Sequence, residues 1–122
     1  MNFLHDAYVA LLSGLTTMEN GKIKWFKYDE NILITIIDPA KEKCYIEYDN
    51  GDKSWFQDNQ LHREDGPAIE WADGSMRWYQ NGMLHRLDGP AVVWTNGPTY
   101  WYINGKHLTE EEFNRIINEP TT

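Results

Sequence analysis

Three tryptophans, Trp55, Trp78 and Trp101, recur at a constant spacing, and each follows a glycine by four positions: Gly51, Gly74 and Gly97. The same step carries His62 to His85, Arg63 to Arg86, and Asp65-Gly66-Pro67-Ala68 to Asp88-Gly89-Pro90-Ala91. It links Tyr48, Trp71 and Trp94, and it returns Asn81-Gly82 as Asn104-Gly105, with the variant Asp58-Asn59 one period earlier. Self-similarity at a fixed period is the mark of a repeat architecture, in which small units stack because none can bury its apolar face alone. The pattern occurs twice nearly complete and then lapses at His107-Leu108. Gly21 and Trp25-Phe26 keep the four-residue offset and suggest a degenerate first copy over residues 21–50. Its longer spacing to Gly51 is accounted for by an insertion within residues 31–41, where Pro39 lies.

Each period translates into a hairpin. Ser75 to Gln80 alternates like a strand, Asn81-Gly82 is a strong two-residue hairpin signal, and Asp73-Gly74 marks the preceding turn. Asp65-Gly66-Pro67 is a further turn, with proline opening the next strand where no donor is needed. The expected unit is two short antiparallel strands, with Met76 and Trp78 on one face and Arg77 and Tyr79 on the other. Stacked in register, equivalent positions give a ladder of Trp55, Trp78 and Trp101 beside Trp71 and Trp94. Helices are expected at both ends. Leu4, Tyr8, Leu11, Leu12 and Leu15 form an amphipathic stripe over residues 1–16 after Asn2, closed by Gly14. Thr109-Glu110-Glu111-Glu112 is a capping-box signature for a helix over residues 109–118, stopped by Pro120.

The fold class implied is a single mostly-β (α+β) domain. Tandem antiparallel hairpins at residues 51–108 form an elongated sheet between the two helices, which shield its ends. Aromatics make up 14% of the 122 residues, with 6 Trp and 7 Tyr, which is too ring-rich for a disordered acidic chain. Large rings are therefore expected to supply the core. The only cysteine, Cys44, excludes an internal disulfide and any cysteine-based zinc or iron–sulfur site. No run approaches the roughly 18 apolar residues of a membrane span. His5 and Asp6 stand where a signal peptide would be apolar. The expectation is a cytoplasmic protein that engages no membrane and needs no cofactor.

At these residues the chain resembles the MORN repeat, the membrane occupation and recognition nexus, whose units pair two strands around N-G and D-G turns. The likeness is to a variant in which Leu61-His62-Arg63-Glu64-Asp65-Gly66-Pro67-Ala68 and Leu84-His85-Arg86-Leu87-Asp88-Gly89-Pro90-Ala91 replace the usual glycine-rich middle. Tandem units of this form, ending in a phrase like Asn104-Gly105-Lys106-His107-Leu108-Thr109-Glu110-Glu111-Glu112-Phe113, look like small proteins of bacteriophages and large DNA viruses. The resemblance covers roughly residues 43–113 and implies repeat architecture rather than a particular chemistry. It also implies a small viral modulator or inhibitor of a host protein or defence system, working in the host cytoplasm.

His62, Arg63 and Asp65 with His85, Arg86 and Asp88 are the residues that acid–base chemistry could draw on. A catalytic set is needed once, whereas residues that recur with the period serve the period. The first reading is a structural ladder in which Arg and Asp of adjacent units pair across the sheet and each Asp caps the turn at its own Gly-Pro, with no catalytic residue and no metal site. The aromatic strand positions carry the functional case. Tyr79, Tyr100 and Tyr102 with Phe56 lie opposite or beside the Trp row, and rings and arginines presented to solvent are favoured interface anchors. Tyr79, Tyr102, Arg77, Arg63 and Arg86 are the candidate binding residues, for a host protein; a homodimer would cover the same face. A second reading is a cleft that stacks and pairs a nucleotide-like ligand. A third is mimicry of nucleic acid by an acidic chain of net charge −8. The acids concentrate in the flanks, −4 over residues 1–52 and −3 over residues 109–122, while residues 53–108 carry only −1. The same balance argues against direct nucleic-acid binding.

Overall fold

The computed structural model describes residues 17–19, 22–29 and 31–119; the helix expected over residues 1–16 lies outside them. The described chain is mostly β, an antiparallel sheet of hairpins with one helix near the C-terminal end. It opens as a meander of β1 (Thr17–Glu19), β2 (Lys22–Asp29), β3 (Ile32–Asp38), β4 (Lys43–Tyr48) and β5 (Lys53–Gln57), with a 3-10 turn at Pro39–Lys41. Shorter strands follow: β6 (Gln60–Leu61), β7 (Ile69–Glu70), β8 (Met76–Arg77), β9 (Tyr79–Gln80), β10 (Met83–Leu84) and β11 (Val92–Val93). The chain ends with β12 (Thr99–Ile103), β13 (Lys106–Leu108) and helix α1 (Glu110–Asn118). The order across the sheet is β1-β2-β3-β4-β5-β7-β8-β11-β12-β13, with β6 paired to β5, and β9 pairs β10 separately.

The expected single strand from Ser75 to Gln80 is divided at Trp78. β8 is held between β7 and β11, whereas β9 turns to pair β10. Trp78 serves both directions, donating its N–H to the Ala91 carbonyl at 2.8 Å and accepting from the His85 N–H at 3.0 Å. β5 and β12 change partner in the same way without a break: Ser54 faces Ile69 while Phe56 faces Leu61, and Tyr100 faces Val92 while Tyr102 faces His107. The two fuller periods thus supply more strand segments than the two expected, β5 to β7 in one and β8 to β11 in the other. Among them β7 and β11 are the short stretches after the Gly-Pro turns, which bridge the strands on either side.

Residues 31–41, within which the spacing places an insertion, form β3 and the 3-10 turn, and β3 holds the centre of the core. Ile34 and Ile36 of β3 pack with Cys44 and Ile46 of β4, all at most 4% exposed, and Ile32, Tyr48 and Phe56 close over them. Among the described residues the buried centre of the core is therefore aliphatic rather than aromatic. Register explains the difference. Cys44 lies opposite Phe56 and Ile46 opposite Ser54, so alternation turns Tyr45 and Trp55 to the other face of the sheet, where they stack at 5.6 Å. Trp55, Trp78 and Trp101 are only partly buried. Phe56, expected among the solvent-facing rings, packs on the core instead.

The helix forms where its capping box predicts. Glu112 N–H donates to Thr109 Oγ1 at 3.1 Å, and Thr109 N–H donates to Glu112 Oε1 at 3.0 Å, so two N–H groups at the helix start are satisfied reciprocally. α1 packs on β12 and β13, with Leu108 and Phe113 buried there.

Candidate functional site

The hairpin turns set the geometry. Asp58-Asn59, Asn81-Gly82 and Asn104-Gly105 all take positive φ, between 49° and 81°, as two-residue hairpin turns require. The strands they join return to His62 and His85, and each imidazole reaches the following turn. Asn81 N–H donates to His62 Nδ1 and Asn104 N–H to His85 Nδ1, both at 3.0 Å. An Nδ1 that accepts carries no proton, so the ring proton of each neutral imidazole sits on Nε2. In His62 that nitrogen faces Glu64 Oε1 at 3.4 Å.

The arginines that follow fold back on the tryptophans of their own hairpins. The Arg63 guanidinium lies 3.8 Å over the Trp55 ring and that of Arg86 3.8 Å over Trp78. Arg63 Nε donates to Asp65 at 3.0 Å, and Nη1 donates to the Pro67 carbonyl and to Glu70 at 3.1 Å each. Arg86 makes the matching bonds to Asp88 at 2.7 Å and to the Pro90 carbonyl at 3.0 Å. Where Glu70 serves Arg63, the equivalent position of the next period is Val93. The expected pairing of Arg and Asp between adjacent units does not occur. The Gly-Pro turn brings each aspartate back to the arginine just before it in the chain, and the close approach depends on glycine, because a Cβ at Gly66 or Gly89 would sit within 3.0 Å or 2.9 Å of the guanidinium carbon. Hydrogen bonding from Arg63 and Arg86 holds the Asp65 and Asp88 carboxyls below their ordinary 3.8.

Between these two loops lies an open groove of about 590 Å³, bordered by Arg63, Asp65, Trp78, His85, Arg86 and Asp88. It presents an indole ring, guanidinium groups already tied to carboxylates, and one imidazole. That set can stack and hydrogen-bond a small planar molecule.

A second aromatic surface lies beside it on the sheet. Trp71 and Trp94 stack at 5.4 Å with an 18° interplanar angle, and the Arg77 guanidinium lies 5.3 Å from both rings. Arg77 faces Ile69 on one side and Val92 on the other, and Val92 faces Tyr100, so these four share one face. Trp94 and Tyr100 are each 36% exposed. His107 meets Tyr100 edge-on at 5.6 Å and stacks on Tyr102 at 5.0 Å.

Among the candidate binding residues, Arg63 and Arg86 are occupied by internal bonds. Tyr79 and Tyr102 are partly buried, and their carbonyls accept from Arg63 N–H and Arg86 N–H at 3.2 Å each. Arg77 makes no ion pair and no hydrogen bond through its side chain among the described residues. Sequence reasoning placed Trp71 and Trp94 in a structural ladder and missed Trp94 as exposed surface. The signal available was the polar run Thr95-Asn96-Gly97 beside it. Among the described residues no three His, Cys, Asp or Glu side chains gather as a metal site, and no helix is long and apolar enough to cross a membrane. Comparison with protein-family models, with curated proteins and with solved structures finds no match to the chain.

Proposed function

We propose that residues 51–108 are tandem copies of one hairpin unit, the last truncated, and that together they form a noncatalytic protein-binding module. The observation that carries this reading is the face around Trp94 and Tyr100, where two large rings lie open on a sheet whose aliphatic core is elsewhere. The recurrence of His-Arg-x-Asp-Gly-Pro supports the noncatalytic part, because its side chains bind turns, carbonyls and rings of the same array. The likeness to repeat proteins of bacteriophages and large DNA viruses extends the proposal to a cytoplasmic modulator of a host protein or defence system. The test is an affinity pull-down of the tagged chain from bacterial lysate, with and without nuclease, against a Trp94→Ala/Tyr100→Ala variant and a Tyr79→Ala/Tyr102→Ala variant. One host protein retained by the parent chain and lost by the first variant is the expected result; no retained protein from a folded chain overturns it.

A second reading rests on the groove between Arg63 and Arg86, whose volume of about 590 Å³ suits a nucleotide-sized ligand. Native mass spectrometry of the freshly purified chain checks it, by whether a small molecule is carried through and is lost in Trp78→Ala.

A further inference from the structure

Among the described residues three arginines lie against tryptophan, and they are not equivalent. Arg63 and Arg86 occupy the same place in successive hairpins, and each has an aspartate and a proline carbonyl to bond. Arg77 belongs to no such series, since the positions one period before and one period after it are Ser54 and Tyr100. By the criterion that recurring residues serve the array, Arg77 serves something else.

Its surroundings indicate what. Nε of Arg77 is the one buried side-chain nitrogen or oxygen without a hydrogen-bond partner among the described residues. The terminal nitrogens also make no bond there, yet they are not buried, so they open to solvent beside Trp94. A guanidinium held among rings with no carboxylate is a poor resting arrangement for a charge, and it is the one that a bound carboxylate completes with paired N–H bonds. We infer that Arg77, with Trp71, Trp94 and Tyr100, is the docking point for a peptide segment that presents one carboxylate between apolar or aromatic side chains. This rests on the protein-binding reading and names the chemistry of its partner.

Charge and shape both favour a peptide over other anions. The net charge of −8 opposes a polyanion such as nucleic acid, whereas a single carboxylate meets the guanidinium of Arg77 alone. The face runs across strands β7, β8, β11 and β12, with Trp94 and Tyr100 each 36% exposed, so it suits an extended chain whose flanking side chains lie on those rings.

The experiment follows tryptophan emission of the full chain during titration with a short blocked peptide carrying one glutamate between phenylalanines, and with its glutamine counterpart. Saturable binding of the glutamate peptide, about tenfold tighter than the glutamine peptide, is expected, with the preference lost in Arg77→Gln and kept in weakened form in Arg77→Lys. Circular dichroism verifies that both variants fold. Equal binding of the two peptides, no binding of either, or displacement by inorganic phosphate at matched ionic strength overturns the assignment. If Arg77→Gln still retains the same host protein as the parent chain in the pull-down, the docking point is elsewhere and the binding reading stands. If the glutamate peptide binds through Arg77 while the pull-down is empty, the docking chemistry stands and the host partner falls.

Discussion

The backbone N–H of Asn81 donates to Nδ1 of His62 at 3.0 Å, so a side chain of one hairpin holds the turn of the next. His85 and Asn104 repeat the bond at the same distance. The two differ in burial, His62 being 5% exposed and His85 only partly buried. His62→Ala leaves a partly buried donor without a partner and is expected to cost about 1–3 kcal/mol, and His85→Ala about 1 kcal/mol or less. Urea unfolding of the two variants checks the ranking. Equal costs would show that the bond to the turn, and not burial, sets the energy.

Gly89 faces the flat of the Arg86 guanidinium so closely that a Cβ there would meet its central carbon at 2.9 Å. Gly89→Ala is expected to push the arginine off Trp78 and Asp88 and to destabilise by about 1–2 kcal/mol. In an Arg86→Ala background the same change is expected to be neutral or to stabilise by about 0.5 kcal/mol, because alanine restricts the unfolded chain more than glycine does. A double-mutant cycle measured by denaturant unfolding reads the coupling; additive effects would disprove the proposed contact.

These contacts also mark what was legible in the chain beforehand. The constant Trp spacing, the Asn-Gly turns and the capping box at Thr109 are readable along the chain, and the turns and the helix, each fixed by local backbone geometry, lie where they point. The core was misread because the Trp spacing outweighs the alternation of Ile32, Ile34 and Ile36, which falls where the period breaks. The partners of Arg63 and Arg86 were misassigned for a different reason. Strand logic pairs residues across a sheet, but both arginines lie in irregular segments just before the Gly-Pro turns, where the chain doubles back on itself within a short stretch. Arg77 was singled out as a binding residue, but its lack of any carboxylate depends on tertiary placement that no spacing records.

Asp65 and Asp88 have lowered carboxyl pKa values because Arg63 and Arg86 hydrogen-bond their ionised forms, and Glu112 is lowered from 4.5 by the Thr109 backbone N–H. With the folded value below the unfolded one, the stabilisation is complete above the ordinary carboxylate range and is lost as pH falls through the lowered value. Both aspartates are largely exposed, so water screens each pairing to a few tenths of a kcal/mol. Asp88→Asn is expected to be less stable than the parent near neutrality, with the difference shrinking as pH falls below the ordinary carboxylate range. Unfolding midpoints near neutrality and at acid pH check the sign.

Cys44 sits at the centre of the aliphatic core, and burial pushes its thiol up to about 12. The reactive thiolate is therefore scarce at neutral pH and shielded in the folded chain. Labelling by a thiol-specific reagent is expected to proceed only through opening of the sheet, at a rate that rises with urea in step with global unfolding. Prompt labelling of the native protein would place the cysteine outside the core.

Leu108 stands as far after His85 as His85 stands after His62, and the sequence pattern lapses there. Each histidine reaches forward to the left-handed turn of a following hairpin. After Leu108 the chain enters α1, and the space is filled by a helix whose Phe113 is buried against the sheet. Leu108 is 3% exposed and lies opposite Trp101. Leu108→His restores the periodic residue but places an imidazole in an apolar site without the turn N–H its Nδ1 accepts elsewhere. It is expected to destabilise by about 2–4 kcal/mol, whereas Leu108→Met costs about 1 kcal/mol. Thermal unfolding of the two variants decides the matter. If the histidine variant is as stable as the methionine one, the end of the period has a cause other than burial beneath the helix.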